Sequence, residues 1–485
     1  MLNTSSKAPN RDFLNETMDA AATPDEPPSD GSASLAPIYR IPFDIFQIII
    51  KMCQDEPSRS FRFTVSHACR LWREHALAMP LLWNSLHINK RVPCWEMLEA
   101  MLKRSSQAPL DIYIGQAPFV KSALPHLRKI MRMILPHLER LRKLHLQNAP
   151  YKVRRILLDQ IRAKRAPRLE EVKVSQSAPY ERPSRLRLKN SSPNWRPESV
   201  FIGFPNLNSI EWTHSTGDIN ALPTFKNLIN LTLGDGTLED IPPRPFIQLI
   251  HHVLLDSPSL ETLKVYNYPT YTWQENFETE AMNLQLPVLT HHSLQTLFIE
   301  TTDRVRSAAI RSLILPKLRT FSTAYDVDSI DLSCCDIIAQ ENSLPDLRVV
   351  SISGDVDDDA ATSPFHAHLP FLRPAIQNLA NLRVLTFRAI NFDHGRWLPD
   401  LGNCCPNLRW LLFLFCTGYT IPSIRLLVET RVHTDGVNPL EILCIQPWSD
   451  APPECWVDEE DAVWFSKLLK FKDEDDCWHT EPEAR

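Results

Sequence analysis

Leu228-Ile229-Asn230-Leu231-Thr232-Leu233 and Leu260-Glu261-Thr262-Leu263-Lys264-Val265 decide how this chain of 485 residues is read. In both, apolar residues stand at the first, fourth and sixth positions. The last three alternate apolar, polar, apolar, the period of a short strand with one buried face. The spacing recurs at Leu141–Leu146, Leu169–Val174, Leu207–Trp212, Leu294–Ile299, Leu318–Phe321, Leu347–Ile352, Leu382–Phe387, Leu408–Phe413 and Leu440–Ile445, with Pro109-Leu110-Asp111-Ile112-Tyr113-Ile114 as a forerunner. Successive copies begin between 21 residues apart (Leu207 to Leu228) and 38 apart (Leu169 to Leu207). A fixed motif at such a period is the mark of one supersecondary unit stacked many times.

The pattern predicts an α/β fold whose body is an irregular leucine-rich-repeat solenoid. Its leucines would face a continuous core and the residues between them a concave strand face. Phe246–Leu255, just before Asp256-Ser257-Pro258, reads as a helix covering the convex side. The Asn or Cys expected three residues after the last Leu is clear only at Cys416, so the usual asparagine ladder is largely missing, and irregular loops are expected near 176–200, 266–290 and 354–370. A helical-pair solenoid or an irregular α/β body are the alternatives.

Composition narrows the classes. Hydrophobic residues make up 43% of the chain, ample for an extended core, whereas only 11 glycines are present. No Gly-x-Gly-x-x-Gly and no Gly-Lys-Ser/Thr loop occurs, which speaks against nucleotide folds. The longest uncharged apolar runs, such as Trp410–Cys416, fall far short of a membrane span. Residues 1–37 read as a disordered arm, with no apolar segment of a signal peptide in Met1–Ala36. The 11 cysteines follow no zinc spacing and read as buried thiols of a cytoplasmic or nuclear protein. Lys121–Lys189 carries 19 basic residues against 5 acidic, and Asp458–Glu483 carries 10 acidic against 3 basic. Few aromatics interleave with the basic run, while Leu135, Leu138, Leu141, Leu144 and Leu146 recur in it. It reads as a solvated or protein-binding face, not a nucleic-acid site.

Ahead of the repeats, Ile41-Pro42-Phe43-Asp44-Ile45-Phe46-Gln47-Ile48-Ile49-Ile50 opens like a helix. Pro42 suits its first turn, Asp44 its positive end, and Ile41, Ile45, Ile48 and Ile49 recur at helical spacing. Val65, Cys69, Trp72, Ala76 and Leu77 form a second set, so 41–83 reads as two or three helices too small to be stable alone. The order Ile-Pro-x-x-Ile-x-x-x-Ile, then Val65-Ser66-His67-Ala68-Cys69-Arg70-Leu71-Trp72-Arg73, then Leu81-Leu82-Trp83, resembles an F-box domain of the fungal type over 38–88. Ile41 stands where that family usually has Leu. The resemblance implies a helical module that docks on a Skp-type adaptor and through it on a cullin-RING ubiquitin ligase, with no catalysis in this chain. Carried over, the adaptor-binding set is Ile41, Pro42, Ile45, Ile48, Ile49, Val65, Cys69, Trp72, Leu82 and Trp83.

Signals for chemistry are weak. There is no His-Glu-x-x-His, no Gly-x-Ser-x-Gly and no paired-carboxylate signature. The adjacent His251-His252 and His291-His292 have diverging side chains, and Asp355, Asp357, Asp358 and Asp359 lack the frame of an EF-hand. No metal, cofactor or enzymatic activity is expected. The expected organisation is the arm 1–37, the F-box-like unit 38–88, the array 89–450, and an acidic capping helix and tail 451–485. A protein substrate would meet the concave face through Lys143, His145, Lys173, Lys264, Tyr266, Phe298, Arg388, Leu412, Leu414 and Gln446, beside Glu171 and Glu211. The expected function is a non-catalytic substrate receptor of a Skp-cullin-F-box ligase. The alternative is a repeat scaffold whose helical unit only caps the array.

Overall fold

The computed structural model describes residues 41–54, 61–88, 94–115, 124–147, 166–175, 204–212, 227–234, 243–266, 286–300, 309–310, 312–325, 344–354, 379–390, 392, 398–447 and 451–472. The N-terminal arm, the Asp355–Asp359 cluster, most of the three irregular loops and the tail beyond 472 lie outside them.

The chain opens with helices α1 (Phe43–Gln54), α2 (Phe61–Ala68) and α3 (Arg70–Leu77), a 3-10 turn (Pro80–Trp83) and strand β1 (Ser85–Ile88). Next come α4 (Trp95–Arg104), β2 (Leu110–Ile114), α5 (Leu124–Ile134), β3 (Leu141–Gln147), β4 (Glu171–Ser175), β5 (Ser209–Trp212) and β6 (Asn230–Leu233). The middle holds α6 (Pro243–Asp256), β7 (Thr262–Tyr266), β8 (Leu289–Thr290), β9 (Thr296–Glu300), β10 (Leu313–Ile314), β11 (Thr320–Tyr325) and β12 (Val349–Gly354). Last are β13 (Val384–Arg388), β14 (Trp410–Cys416), α7 (Ile421–His433), β15 (Ile442–Pro447), α8 (Glu459–Leu468) and β16 (Lys470–Lys472).

Fourteen of these strands form one parallel sheet, ordered as in the chain from β1 to β16, with β8 and β10 paired separately. Every leucine copy supplies one strand, as the spacing predicts, and β1 and β16 extend the sheet beyond the motif at either end. Parallel neighbours require a crossover, and α4, α5, α6 and α7 lie in such connections. The result is a mixed α/β stack with a long open sheet.

The first, fourth and sixth positions of each copy point to one side, and all are apolar except Thr323 in β11. Leu141, Leu144 and Leu146, like Leu260, Leu263 and Val265 or Leu382, Leu385 and Phe387, are almost fully buried in a single continuous core. Burial of such a side chain stabilises by about 1.5–3 kcal/mol, and the repeat multiplies it. Near the C-terminal end, Phe387, Phe392, Phe413 and Tyr419 close the core with ring centroids 5.2–6.1 Å apart.

A turn aims each copy at the sheet. Leu169, Leu207, Leu260, Leu318, Leu347, Leu382 and Leu408 each donate their amide to the residue three before, from Ala166 to Cys405. In all but the Leu382 copy a proline fills the second position, where its fixed φ suits the turn. An asparagine ladder does exist, displaced from its expected place. The residue just before the first Leu donates its side-chain amide to the turn carbonyl of the preceding copy: Asn206 to Pro167, Asn227 to Pro205, Asn381 to Pro345 and Asn407 to Ala380, at 2.7–3.0 Å. Cys416 adds a thiol donor to Phe387 O at 3.4 Å.

Buried arginines join the convex elements. Arg140 donates to Leu102 O, Ser105 Oγ and Ala108 O, satisfying the carbonyl end of α4. Arg431, from α7, donates to five carbonyls, of Leu401, Cys404, Cys405, Leu408 and Asn438, at 2.8–3.2 Å. Burial pushes its pKa down to about 10, which leaves it charged at neutral pH. Gly402 allows this approach, since a Cβ there would lie 2.6 Å from Thr430 Cβ. Cys405 takes φ 50° ahead of its turn, and burial pushes its thiol up to about 12, a packing role rather than a redox one.

The ends are closed differently. At the start, Trp83 is fully buried, donates Nε1 to Ala76 O at 2.7 Å and lies under the Arg104 guanidinium, while Arg62 donates to Ser85 O. The helical unit thereby shares its core with the first repeats. At the finish, α8 is capped by Asp458, whose carboxylate accepts from Asp461 N at 2.7 Å, and Asp461 pairs with Arg425 of α7. Phe465 is buried beneath it.

Removing the Arg431 guanidinium should strand four buried carbonyls and a fifth, part-buried one at once. We predict that Arg431→Met lowers stability by about 3–5 kcal/mol, read as the urea midpoint of the full chain. A loss below about 1 kcal/mol would contradict the capping role.

Candidate functional site

Two surfaces could carry function: the outer face of α1 and the strand face of the sheet. On α1, Phe46 and Ile50 turn inward, with Phe46 packed edge-on against Trp72 at 5.2 Å and against His75 at 5.4 Å. The opposite face leaves Ile45 45%, Ile48 55%, Ile49 39% and Met52 70% exposed. Helix α1 is therefore apolar on both sides, and the Ile45/Ile48/Ile49 stripe that the sequence singles out is the outer one. Phe46 and Ile50, which escaped the sequence reading, are the inner one.

The remaining candidates of this unit divide. Ile41 is half-buried against the core and Pro42 is exposed, its carbonyl accepting from Phe46 N. Val65, Leu82 and Trp83 are buried and shape the unit from within. Cys69 breaks α2 from α3 and caps α3, its sulfur accepting from Trp72 N at 3.4 Å.

On the sheet, register sorts the second set into three groups along the strand face. The first belongs to β2–β5, where Asp111, Lys143, Glu171 and Ser209 align, as do Tyr113, His145, Lys173 and Glu211. Lys143 Nζ lies 2.7 Å from Glu171 and Lys173 Nζ 3.3 Å from it, with Lys173 also 3.4 Å from Glu211. His145 Nε2 is 3.1 Å from Glu171 Oε1, but off the line an aligned hydrogen bond needs, so Lys143 is the firmer partner. His145 and Lys143 together hold the Glu171 carboxyl well below the usual carboxylate range. Arg142 grips Asp111 through two bonds, at 2.9 and 2.6 Å. Tyr113, absent from the sequence prediction although it occupies the same strand position, stacks on His87 at 4.4 Å and meets His145 edge-on at 4.6 Å. Burial, followed by the Asp111 charge, pushes its phenol up. Lys143, His145 and Lys173 are thus committed to an internal network.

The second group brings Lys264 beside Phe298, with Tyr266 and Phe298 rings 4.5 Å apart. The third lies on β13–β15. Arg388 is exposed, 5.8 Å from the Phe415 ring, and Leu414 is half-buried. Leu412 and Gln446, expected as contact residues, are only 4% and 3% exposed, so neither offers a free surface. Leu412 packs with Val384 and Cys444 in a small apolar cluster on this side of the sheet, flanked by Val349, Trp410 and Leu414.

Cys444 corrects the reading of all cysteines as thiols. It is disulfide-bonded, whereas Cys69, Cys94, Cys404, Cys405, Cys416 and Cys455 are thiols. The paired histidines do diverge. His251 is buried against Ser312 Oγ at 2.7 Å and His291 against Ser257 O at 3.1 Å, while His252 and His292 face outward. Burial lowers the pKa of both inner imidazoles. Among the described residues no three His, Cys, Asp or Glu side chains converge as a metal site, and no helix is long and apolar enough to cross a membrane.

The Glu171 network sets a pH dependence. Because the folded-state pKa is depressed, its stabilisation is present above the ordinary glutamate value of ~4.3 and is lost as pH falls toward the folded value. We predict that Glu171→Gln costs up to about 1 kcal/mol at pH 6, and that the gap from wild type closes as urea midpoints are followed to pH values below the ordinary carboxylate range. A gap independent of pH would contradict the account.

No protein-family model matches the chain, and no curated protein matches it. Among solved structures it is similar to a crystal structure of the Rad7 and Elc1 complex in yeast, at 14% identity and TM-score 0.40, covering 91% of this chain and 98% of that one. It is also similar to a protein from Bacteroides fragilis, at 12% identity and TM-score 0.31, covering 73% of this chain and 82% of that one. Likenesses this distant carry no functional argument.

Proposed function

We propose that this chain is a non-catalytic substrate receptor of a cullin-RING ubiquitin ligase, docking on a Skp-type adaptor through α1 and presenting a protein substrate on the strand face. The observation that carries the reading is the outer stripe of α1. A helix already anchored by Phe46 and Ile50 has no folding reason to expose Ile45, Ile48, Ile49 and Met52 together. Apolar side chains in a row, on a short helix at the end of a rigid stack, are what a partner's groove takes as anchors. The ordered F-box-like motif over 38–88 supplies the identity of that partner.

The mechanism is proximity. A substrate held on the array has its lysines at high effective concentration near a conjugating enzyme carried by the other subunits, which perform the chemistry. Val65, Cys69, Leu82 and Trp83 contribute by fixing the helices, and Trp83 couples them to the repeats.

The scaffold alternative draws on the same seam. Trp83 and Leu86 share one core with the strands, so the helical unit does cap the sheet. Capping uses its inner face only and leaves the outer stripe without a purpose.

Co-expression with a Skp-type adaptor and gel filtration separate the two. We predict a one-to-one complex with the wild-type chain that is lost in Ile45→Asp/Ile49→Asp. Both residues are exposed, so the variant should keep the wild-type unfolding midpoint. A folded wild-type chain that forms no complex, or a double variant that still binds, would leave the scaffold reading in place.

A further inference from the structure

The residue after the first Leu of each copy stands at the entry edge of its strand. From β11 to β14 it is arginine four times in succession: Arg319, Arg348, Arg383 and Arg409. Their backbones are bonded directly, Arg348 N to Arg319 O at 2.8 Å, Arg383 N to Arg348 O at 2.7 Å and Arg409 N to Arg383 O at 2.9 Å. The four therefore repeat at the strand spacing of about 4.8 Å. Arg319, Arg383 and Arg409 are exposed and Arg348 half so.

Two arginines at this position are neutralised. Arg142 is held by Asp111, and Arg409 pairs with Glu441 at 2.9 Å. Arg319, Arg348 and Arg383 have no carboxylate or ring partner among the described residues. With Lys317 the edge carries five cations, against the carboxylates of Asp346 and Glu441. Like charges on adjacent strands repel, and among the described residues only Arg409 of the row has a carboxylate partner, so an anionic ligand would relieve the other three.

A second row runs beside it. Thr320, Val349, Val384, Trp410 and Ile442 align in register on the strand face, one residue further along each strand. We propose that this edge binds an acidic segment of the substrate protein in extended form, its carboxylates or phosphoryl groups on Arg319, Arg348 and Arg383 and its intervening apolar side chains on the Val349/Trp410 row. This rests on the receptor reading and deepens it by naming the substrate's chemistry. Three arginines at strand spacing span about 10 Å, and same-side residues of an extended chain repeat at about 6.7 Å, so two acidic side chains seat against the row. The forked guanidinium suits either anion. A nucleic-acid strand fits worse, because the flanking row offers one aromatic and otherwise aliphatic groups, no platform for successive bases.

The test is fluorescence anisotropy of the full chain with labelled 12-residue peptides: alternating Glu-Leu, the same peptide with phosphoserine at two Glu positions, and alternating Gln-Leu, beside a 12-nucleotide single-stranded DNA. We expect both acidic peptides to bind, more weakly as salt rises, and to lose at least tenfold in affinity in Arg348→Glu/Arg383→Glu but not in the distant Lys103→Glu/Lys467→Glu. A phosphopeptide preference of tenfold or more would assign phosphoryl groups as the natural anion, and equal affinity would assign carboxylates. Equal binding of the Gln-Leu peptide, retained affinity in the arginine variant, tighter binding of the DNA, or no binding of any peptide would overturn the proposal. Adaptor capture by the same arginine variant, expected to be intact, keeps failure here distinct from failure of the receptor reading.

Discussion

A parallel strand with one apolar face cannot stand alone, and everything in this molecule follows from that constraint. Each copy must hand its backbone donors and acceptors to a neighbour on either side and press its three apolar residues into a shared core. The turn before each copy, the asparagines that tie one turn to the next, and the buried Arg140 and Arg431 all serve that stacking. The two ends cannot be satisfied by repetition. At the start a helical unit sealed by Trp83 closes the core, and at the finish α8 and β16 do so through Phe465 and the Asp461–Arg425 pair.

The same constraint frees the rest of the surface. Positions between the inward leucines are not needed for stacking, and their chemistry changes along the sheet. It runs from a self-paired charge network at β2–β5, through the Lys264/Tyr266/Phe298 group, to the apolar cluster around Leu412. Charges that neutralise one another stiffen a face without attracting partners strongly. The arginines at the strand entry of β11–β13, which have no carboxylate partner among the described residues, and the exposed isoleucines of α1 are of a different kind, since neither improves the fold.

Much of this was legible in the residues. The Leu-x-x-Leu-x-Leu spacing located every strand it marked, because the inward positions are apolar in almost every copy, the buried Thr323 of β11 being the exception. The asparagine ladder lies before the first Leu and not after the last, where the motif predicts it, because what an asparagine can bond depends on which turn carbonyl is within reach, a matter of three dimensions. The two faces of α1 could not be separated when both Phe46/Ile50 and Ile45/Ile49 are apolar. Crossovers of unequal length hid the lateral register, so nothing in the sequence paired Lys143 and Lys173 with Glu171, or showed that Leu412 and Gln446 are covered. The arginine row was open to view as Leu-Arg in four successive copies, yet its meaning needed the knowledge that those copies are adjacent strands.

The central claim is that the outer stripe of α1 is a docking element on an otherwise self-sufficient stack. Hydrogen exchange of the full chain, alone and with a Skp-type adaptor, addresses it most directly. The account predicts added protection confined to Phe43–Gln54 and the helices packed against it, with strand amides from β2 onward unchanged. Protection that spreads along the strands instead, or no change anywhere with the adaptor present in excess, would contradict it.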